Sequence, residues 1–495
     1  MNAAGLLAQR RAGVLLHPTS LPSPYGPGDL GHAAWRFVEF LAAAGFSVWQ
    51  MLPVAPPHPD LSPYDAFSAF AGNPALLSLD WLYDRGFVDA ADLQRVLRQP
   101  GLRAAVLAAA ASRFAARPAE EPRLRAGIEA FRERNAHWLP DYCLFAALHE
   151  ACDHQPWYRW PSALRDREPS ALAAAAQQHA VRVDAICFEQ YVFDCQWHEL
   201  RTYALTRGVH FFGDVPIFVA HDSADVWASR GLFRVDADGA LAVETGVPPD
   251  YFSATGQRWG NPHYDWDVMA RHGFAWWRSR IALQRERFDL LRIDHFRGFE
   301  ACWEIPAGAL TAAEGHWAPA PGDALLEALL EAAGPGTLVA EDLGTITPAV
   351  ECLRRAHALP GMHILHFAFD GDPANPYLPH NHARDALVYT GTHDNDTTLG
   401  WFRGLDDAAR AQMLDYFGTA AADMPLTLVR AALASVSRLA IVPMQDLLRL
   451  GSESRMNRPG TARGNWCWQL EGEHSFSAEH AAQLRLMLLR YGRLC

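Results

Sequence analysis

Eight short apolar runs recur along this chain, and most of them break off into acidic, histidine or arginine residues. That rhythm limits the fold more than any other feature of the 495 residues. The clearest run is 290–298, Leu-Leu-Arg-Ile-Asp-His-Phe-Arg-Gly. A short apolar run reads as a buried strand. In a parallel barrel the polar residues that follow such strands gather on one face, where the chemistry is done. Arg292 and Asp294 lie two apart, so on a strand they point to the same side. An arginine there is expected to keep its carboxylate neighbour ionised. The plainer alternative is a buried ion pair that closes the barrel.

The other runs are 12–17, 48–54, 209–219, 337–340, 362–369, 386–390 and 439–444. The third contains Asp214; the fifth ends in Glu341-Asp342 and the seventh leads into His393-Asp394-Asn395-Asp396. Periodicity predicts a helix over 33–44 stopped by Gly45, another from about 272 to 288, and a last one after residue 473. Eight strands with helices between most of them make an α/β fold, a (β/α)8 TIM barrel. The reading is one catalytic domain, 1–495, with two insertions. The first, at about 56–206 after strand two, is mostly helical; its Ala-rich stretches 101–116 and 169–180 read as ordinary helix surface and core. The second, at about 221–270 after strand three, is rich in Gly, Pro and aromatics and reads as a long binding loop.

Composition narrows the chemistry. The formal net charge of −13 disfavours a nucleic-acid or anionic-membrane surface. All 43 basic residues are arginine, which removes P-loop and Schiff-base lysine chemistry together. The eight cysteines form no CxxC pair, so no zinc knuckle or dithiol motif is expected, and reduced thiols in a large core fit the cytoplasm. No secretory h-region and no apolar run long enough to span a bilayer is present.

Asp294, Glu341 and Asp394 follow strands four, five and seven, so a barrel brings them to one pocket. Three convergent carboxylates without a phosphate loop suit glycoside chemistry: one attacks the anomeric carbon, one protonates the leaving oxygen, one stabilises the distorted sugar. A divalent-metal site on Asp342, Asp394 and Asp396 is the competing reading. Tyr64, Tyr251, Phe252 and Trp259 sit in loops, where flat aromatic faces suit sugar rings.

These residues carry a resemblance. The stretches 291–298, 340–344 and 391–395 resemble the active-site motifs of the 4-α-glucanotransferases of glycoside hydrolase family 77, the amylomaltases. Stretches 62–65, 71–74, 256–262 and 457–461 agree in order and spacing, and the likeness runs from Gly13 to the C-terminus. The resemblance implies a retaining double displacement on α-1,4-glucans, with maltooligosaccharides as donor and acceptor and with no cofactor or metal. It implies Asp294 as nucleophile, Glu341 as general acid/base and Asp394 as transition-state stabiliser. It further implies sugar contacts from Tyr64, Asp214, Arg292, His393 and Asn465, and an acceptor-side loop carrying Asp250, Tyr251, Phe252, Gln257 and Trp259. An α-glucan hydrolase with the same carboxylates and a non-catalytic glucan-binding protein are the rivals. A phosphorolytic enzyme is disfavoured by the lack of a phosphate cradle.

Overall fold

The computed structural model describes residues 5–116, 122–249, 254–461 and 463–494. Eight parallel strands form one sheet: β1 (Arg11–Leu15), β2 (Val48–Gln50), β3 (His210–Val215), β4 (Leu290–Ile293), β5 (Leu338–Ala340), β6 (Gly361–Ile364), β7 (Ala386–Tyr389) and β8 (Leu439–Pro443). They run in the order β6-β7-β8-β1-β2-β3-β4-β5. β1 pairs with β8 from Arg11↔Leu439 to Leu15↔Pro443, so the first strand meets the last. Between β5 and β6 the seam is short. Ala340 N–H donates to Pro360 O at 2.9 Å, and Asp342 Oδ1 accepts the Met362 N–H at 2.7 Å. The fold is the TIM barrel that the eight runs predict.

Strand alternation aims the chemistry. Leu290 faces the barrel interior with Phe212, Val339, Leu387 and Tyr389, whereas Leu291 and Ile293 pack outward into the main core. The inward series therefore continues through Arg292 to Asp294 at the mouth. The β3–β4 register sets Asp214 opposite Arg292. Gly213, just before Asp214 on β3, has no room for a side chain, because a Cβ there would meet the Phe288 ring at 2.5 Å.

The runs overstate strand length. Of 48–54 only Val48–Gln50 is strand, and of 362–369 only the start, the chain turning over Leu365–Phe367. The helix His32–Ala44 ends where expected, at Gly45 with φ 86°. The helix expected over about 272–288 is present as Ala275–Arg287, and a separate short helix, Trp266–Arg271, precedes it across Gly273 and Phe274 in the left-handed region.

Helices fill the segment between β2 and β3, ending in the long Ala180–Thr206. Two amides on that helix clamp the chain downstream of Tyr64. The Gln190 side chain accepts from Gly72 N at 2.7 Å and donates to Gly72 O at 2.9 Å. Gln196 does the same to Ser78, at 2.8 and 3.2 Å. The segment between β3 and β4 is not the irregular loop expected. It holds a hairpin, Val243–Val247 with Gln257–Pro262, which joins Ala301–Pro306 and His316–Pro319 in a four-stranded antiparallel sheet. No helix among the described residues is long and apolar enough to cross a membrane.

Candidate active site

Asp294, Glu341 and Asp394 meet at the mouth of the barrel, where the charge on Asp394 raises the proton affinity of both Asp294 and Glu341. Asp294 is gripped from below: Arg292 Nη2 lies 3.0 Å from its Oδ1, and 26% of the side chain stays open to the cleft. Arg292 Nη1 donates to Asp214 Oδ2 at 2.6 Å, so one guanidinium bridges two carboxylates. The expectation that Arg292 keeps Asp294 in the ordinary carboxylate range needs correction. Burial raises Asp294 more than Arg292 lowers it, and the carboxyl is pushed up to about 7. Glu341 is pushed well above its ordinary value, chiefly by burial, with the Asp294 charge adding to it. Its Oε2 accepts the His295 N–H at 2.6 Å. His295 adopts φ 50° to present that N–H. Burial drives its ring down to about 3, so it is neutral.

A run of polar contacts through His393, Tyr64, Asp214 and Arg292 joins Asp394 to Asp294. Tyr64 Oη lies 2.7 Å from Asp214 Oδ2 and 2.9 Å from His393 Nε2. The hydroxyl has one proton, and the carboxylate is the stronger acceptor, so His393 Nε2 must carry hydrogen and donate to Tyr64. Burial lowers the His393 pKa, which fixes the neutral form. Nε2 also lies 3.3 Å from Asp394 Oδ2. The other oxygen of Asp394 accepts from Asn457 Nδ2 at 2.7 Å, and Arg455 Nη2 donates to the Asp394 carbonyl at 2.7 Å. Asp394 is thus held from three sides with 44% of its side chain exposed.

Aromatic rings line the cleft. Tyr64 and His393 stack at 5.3 Å and 15°, and Trp466 stands 5.9 Å from each. A cavity of about 890 Å³ opens beside Pro63 and Trp466, walled by the 55–63 loop and by Tyr142, Phe145, His149 and Glu189 of the helical segment. On the opposite side the hairpin brings Trp259 edge-on to the His295 ring at 4.9 Å and 85°, and Gln257 Oε1 accepts from Trp259 Nε1 at 3.3 Å.

The expected residues are not all surface contacts. Asp214 has 0% of its side chain exposed and serves Arg292 and Tyr64 from beneath. Asn465 spends its amide on its own loop, accepting from Arg458 N at 3.0 Å and donating to Thr461 O at 2.8 Å. Asp250, Tyr251 and Phe252 lie outside the described residues. Asp342, offered as a metal ligand with Asp394 and Asp396, is turned into the barrel seam against Arg354 at 3.0 Å. Asp396 accepts from Ser452 Oγ at 2.8 Å. Among the described residues no group of three His, Cys, Asp or Glu is placed to hold a metal ion. Sequence reading missed His295, Arg455, Asn457 and Trp466. His295 and Asn457 stood inside quoted motifs, without a role, because a backbone donor and a supporting amide leave no chemical signature.

Comparison with known proteins gives one answer. The glycoside hydrolase family 77 model, described as 4-alpha-glucanotransferase, matches residues 16–475. The chain is 48% identical to the 4-alpha-glucanotransferase of Thermus thermophilus, over 97% of this chain and 98% of that one. It is 42% identical to the chloroplastic/amyloplastic 4-alpha-glucanotransferase of Solanum tuberosum, over 98% of this chain and 87% of that one. The amylomaltase of Streptococcus agalactiae, solved with acarbose, matches with a TM-score of 0.94 and 36% identity, over 98% of this chain and all of that one.

Proposed function

The chain belongs to the 4-alpha-glucanotransferase family, glycoside hydrolase family 77, whose enzymes transfer glucan segments, and from that premise we propose how its own residues divide the work. Asp294 is the nucleophile. It attacks the anomeric carbon of an α-1,4-glucan while Glu341, which burial keeps protonated, gives its proton to the departing 4-oxygen. A β-glucosyl ester on Asp294 results. The 4-hydroxyl of an acceptor sugar then attacks the ester, Glu341 takes back a proton, and the α configuration returns.

The observation that carries this reading is the unlike setting of two neighbouring carboxyls. Burial and neighbouring negative charge raise both, Glu341 well above its ordinary value and Asp294 to about 7, and the charge of Arg292 opposes the rise in each. Asp294 has Arg292 at 3.0 Å, which favours its anion. Acid and nucleophile are thereby assigned by environment. Asp394, fixed by Asn457 and His393, grips sugar hydroxyls as positive charge develops at the anomeric carbon. Tyr64 and Trp466 flank the donor sugar, and the cavity beside them takes the rest of the donor chain. The enzyme bound to acarbose in Streptococcus agalactiae supports a maltooligosaccharide in this cleft.

Transfer outcompetes hydrolysis because the hairpin carrying Gln257 and Trp259 covers the acceptor side and excludes water from the ester. The substrates are maltooligosaccharides and longer α-1,4-glucans, and the seven described cysteines, all free, support a cytoplasmic setting. Purified protein incubated with maltotriose alone tests the reading. A ladder of longer chains accompanied by glucose is expected. Glucose and maltose without longer chains would make the protein a hydrolase.

A further inference from the structure

A buried carboxylate next to the active-site loops takes no part in the reaction as drawn. Asp446 follows β8 on the short helix Met444–Leu447 and is 1% exposed. Three donors converge on it. Thr390 Oγ1 donates to its Oδ2 at 2.6 Å, Thr398 Oγ1 to the same oxygen at 2.6 Å, and the Thr398 N–H to its Oδ1 at 2.7 Å. Thr390 directly follows β7, and Thr398 opens the helix Thr398–Gly404. Between these two anchors runs the loop 391–397, which carries His393 and Asp394.

We propose that Asp446 is a positioning residue: by tying both ends of the 391–397 loop to one point, it sets where His393 and Asp394 stand over the sugar. This rests on Asp394 being the group that stabilises the transition state. The loop is also braced from within, since Asn395 Oδ1 accepts from Thr392 N at 2.8 Å and from Thr392 Oγ1 at 3.0 Å. Asp446 stands, besides, at the root of the chain after β8 that supplies Arg455 and Asn457. Those two hold the Asp394 carbonyl and carboxylate at 2.7 Å each. Stabiliser and supports thus hang from one residue.

The residue type matters. A carboxylate is acceptor-only and can take all three donors at once, whereas an amide would turn a donor of its own towards the hydroxyls. With both threonine protons committed to Asp446, Thr398 Oγ1 is left to accept from His366 Nε2, 3.0 Å away. His366 stands in the turn after β6, Leu365–Phe367. Burial drives its ring down to about 3, so it is neutral and carries its hydrogen on Nε2. The same ring crowds the start of the loop: a Cβ on Gly391 would fall 2.6 Å from His366 Cε1. Residues that follow β6, β7 and β8 therefore build the seat of the loop together. Burial raises the Asp446 carboxyl, and the hydrogen bonds from Thr390 and Thr398 oppose the rise.

Fluoride release from α-maltosyl fluoride, whose leaving group needs no acid, tests the proposal in a double-mutant cycle. Asp446→Asn should lower kcat about tenfold with KM little changed, since roughly 1 Å of misplacement is enough for such a loss. Placed on Asp394→Asn, the same substitution should cost less than about twofold further, because the group it positions is already gone. Thr398→Val has nearly the same shape and lacks one of the donors. It should show the same split in smaller measure, and it serves where Asp446→Asn does not fold. Equal losses in the two backgrounds would overturn the proposal, and so would a variant that unfolds at lower urea yet keeps its kcat. Full activity in Asp394→Asn alone would instead overturn the reading of Asp394 on which the proposal stands.

Discussion

Asn457 illustrates what a single amide does for a catalytic group. Asp394 has two oxygens; one is committed to Asn457 Nδ2 at 2.7 Å, which fixes the direction in which the other can face a sugar. Freed of that bond, the carboxylate rotates in a half-open site, and a displacement on the order of 1 Å can cost up to roughly 10²-fold in rate. Asn457→Ala is therefore expected to lower kcat by about tenfold or more, with KM little changed, because the interaction matures in the transition state. A change confined to KM would place Asn457 in substrate binding instead. At this scale the sequence was half legible. Carboxylates at strand ends announce themselves, since Asp294, Glu341 and Asp394 are few, charged and placed after apolar runs. Their supports do not: His295 acts through its peptide N–H, and Asp214 acts from full burial, so neither role follows from residue type.

The hairpin Val243–Val247 with Gln257–Pro262 was the element least visible beforehand. Its strands have Gly246 and Gly260 where alternation would want side chains. Gly246 is compulsory, as a Cβ there would meet Gln257 O at 2.1 Å. Glycine bought for close strand approach therefore reads, in sequence, as loop. The barrel strands were legible for the opposite reason: both faces are buried, so they appear as continuous apolar runs. Their ends were not, because apolar residues continue into packed turns such as Leu365–Phe367. If the hairpin shields the ester from water, Trp259→Ala should lower transfer much more than hydrolysis. Product analysis from maltotriose measures both, and an unchanged ratio would remove the hairpin from that role.

Across the whole molecule the mouth of the barrel costs stability. Asp294 shifts from 3.8 to about 7 on folding. A carboxyl whose folded pKa is raised contributes stability below its unfolded pKa and loses it as pH rises through the folded value. Asp294→Asn should therefore stabilise the chain at neutral pH, by about 1–4 kcal/mol given 1.36 kcal/mol per unit. The gain should vanish near pH 4, roughly the unfolded carboxyl range. Denaturation in urea at the two pH values checks this; a gain equal at both would mean that something other than the buried charge is relieved. Activity follows the same groups. kcat/KM should rise as Asp294 loses its proton and fall as Glu341 loses its own, giving a bell whose limbs belong to the pair.

The assignment of Asp294 as the attacking group is the centre of this account, and trapping the ester tests it most directly. Glu341→Gln protein given a maltosyl fluoride carrying fluorine at the 5-position should accumulate a glycosyl-enzyme, since the fluoride leaves without an acid while attack on the anomeric carbon of the intermediate lacks its base. Proteolysis and mass spectrometry should then locate the sugar on the peptide that contains Asp294. Sugar found on Asp394, or no covalent adduct while the fluoride is consumed, would contradict the double displacement as drawn.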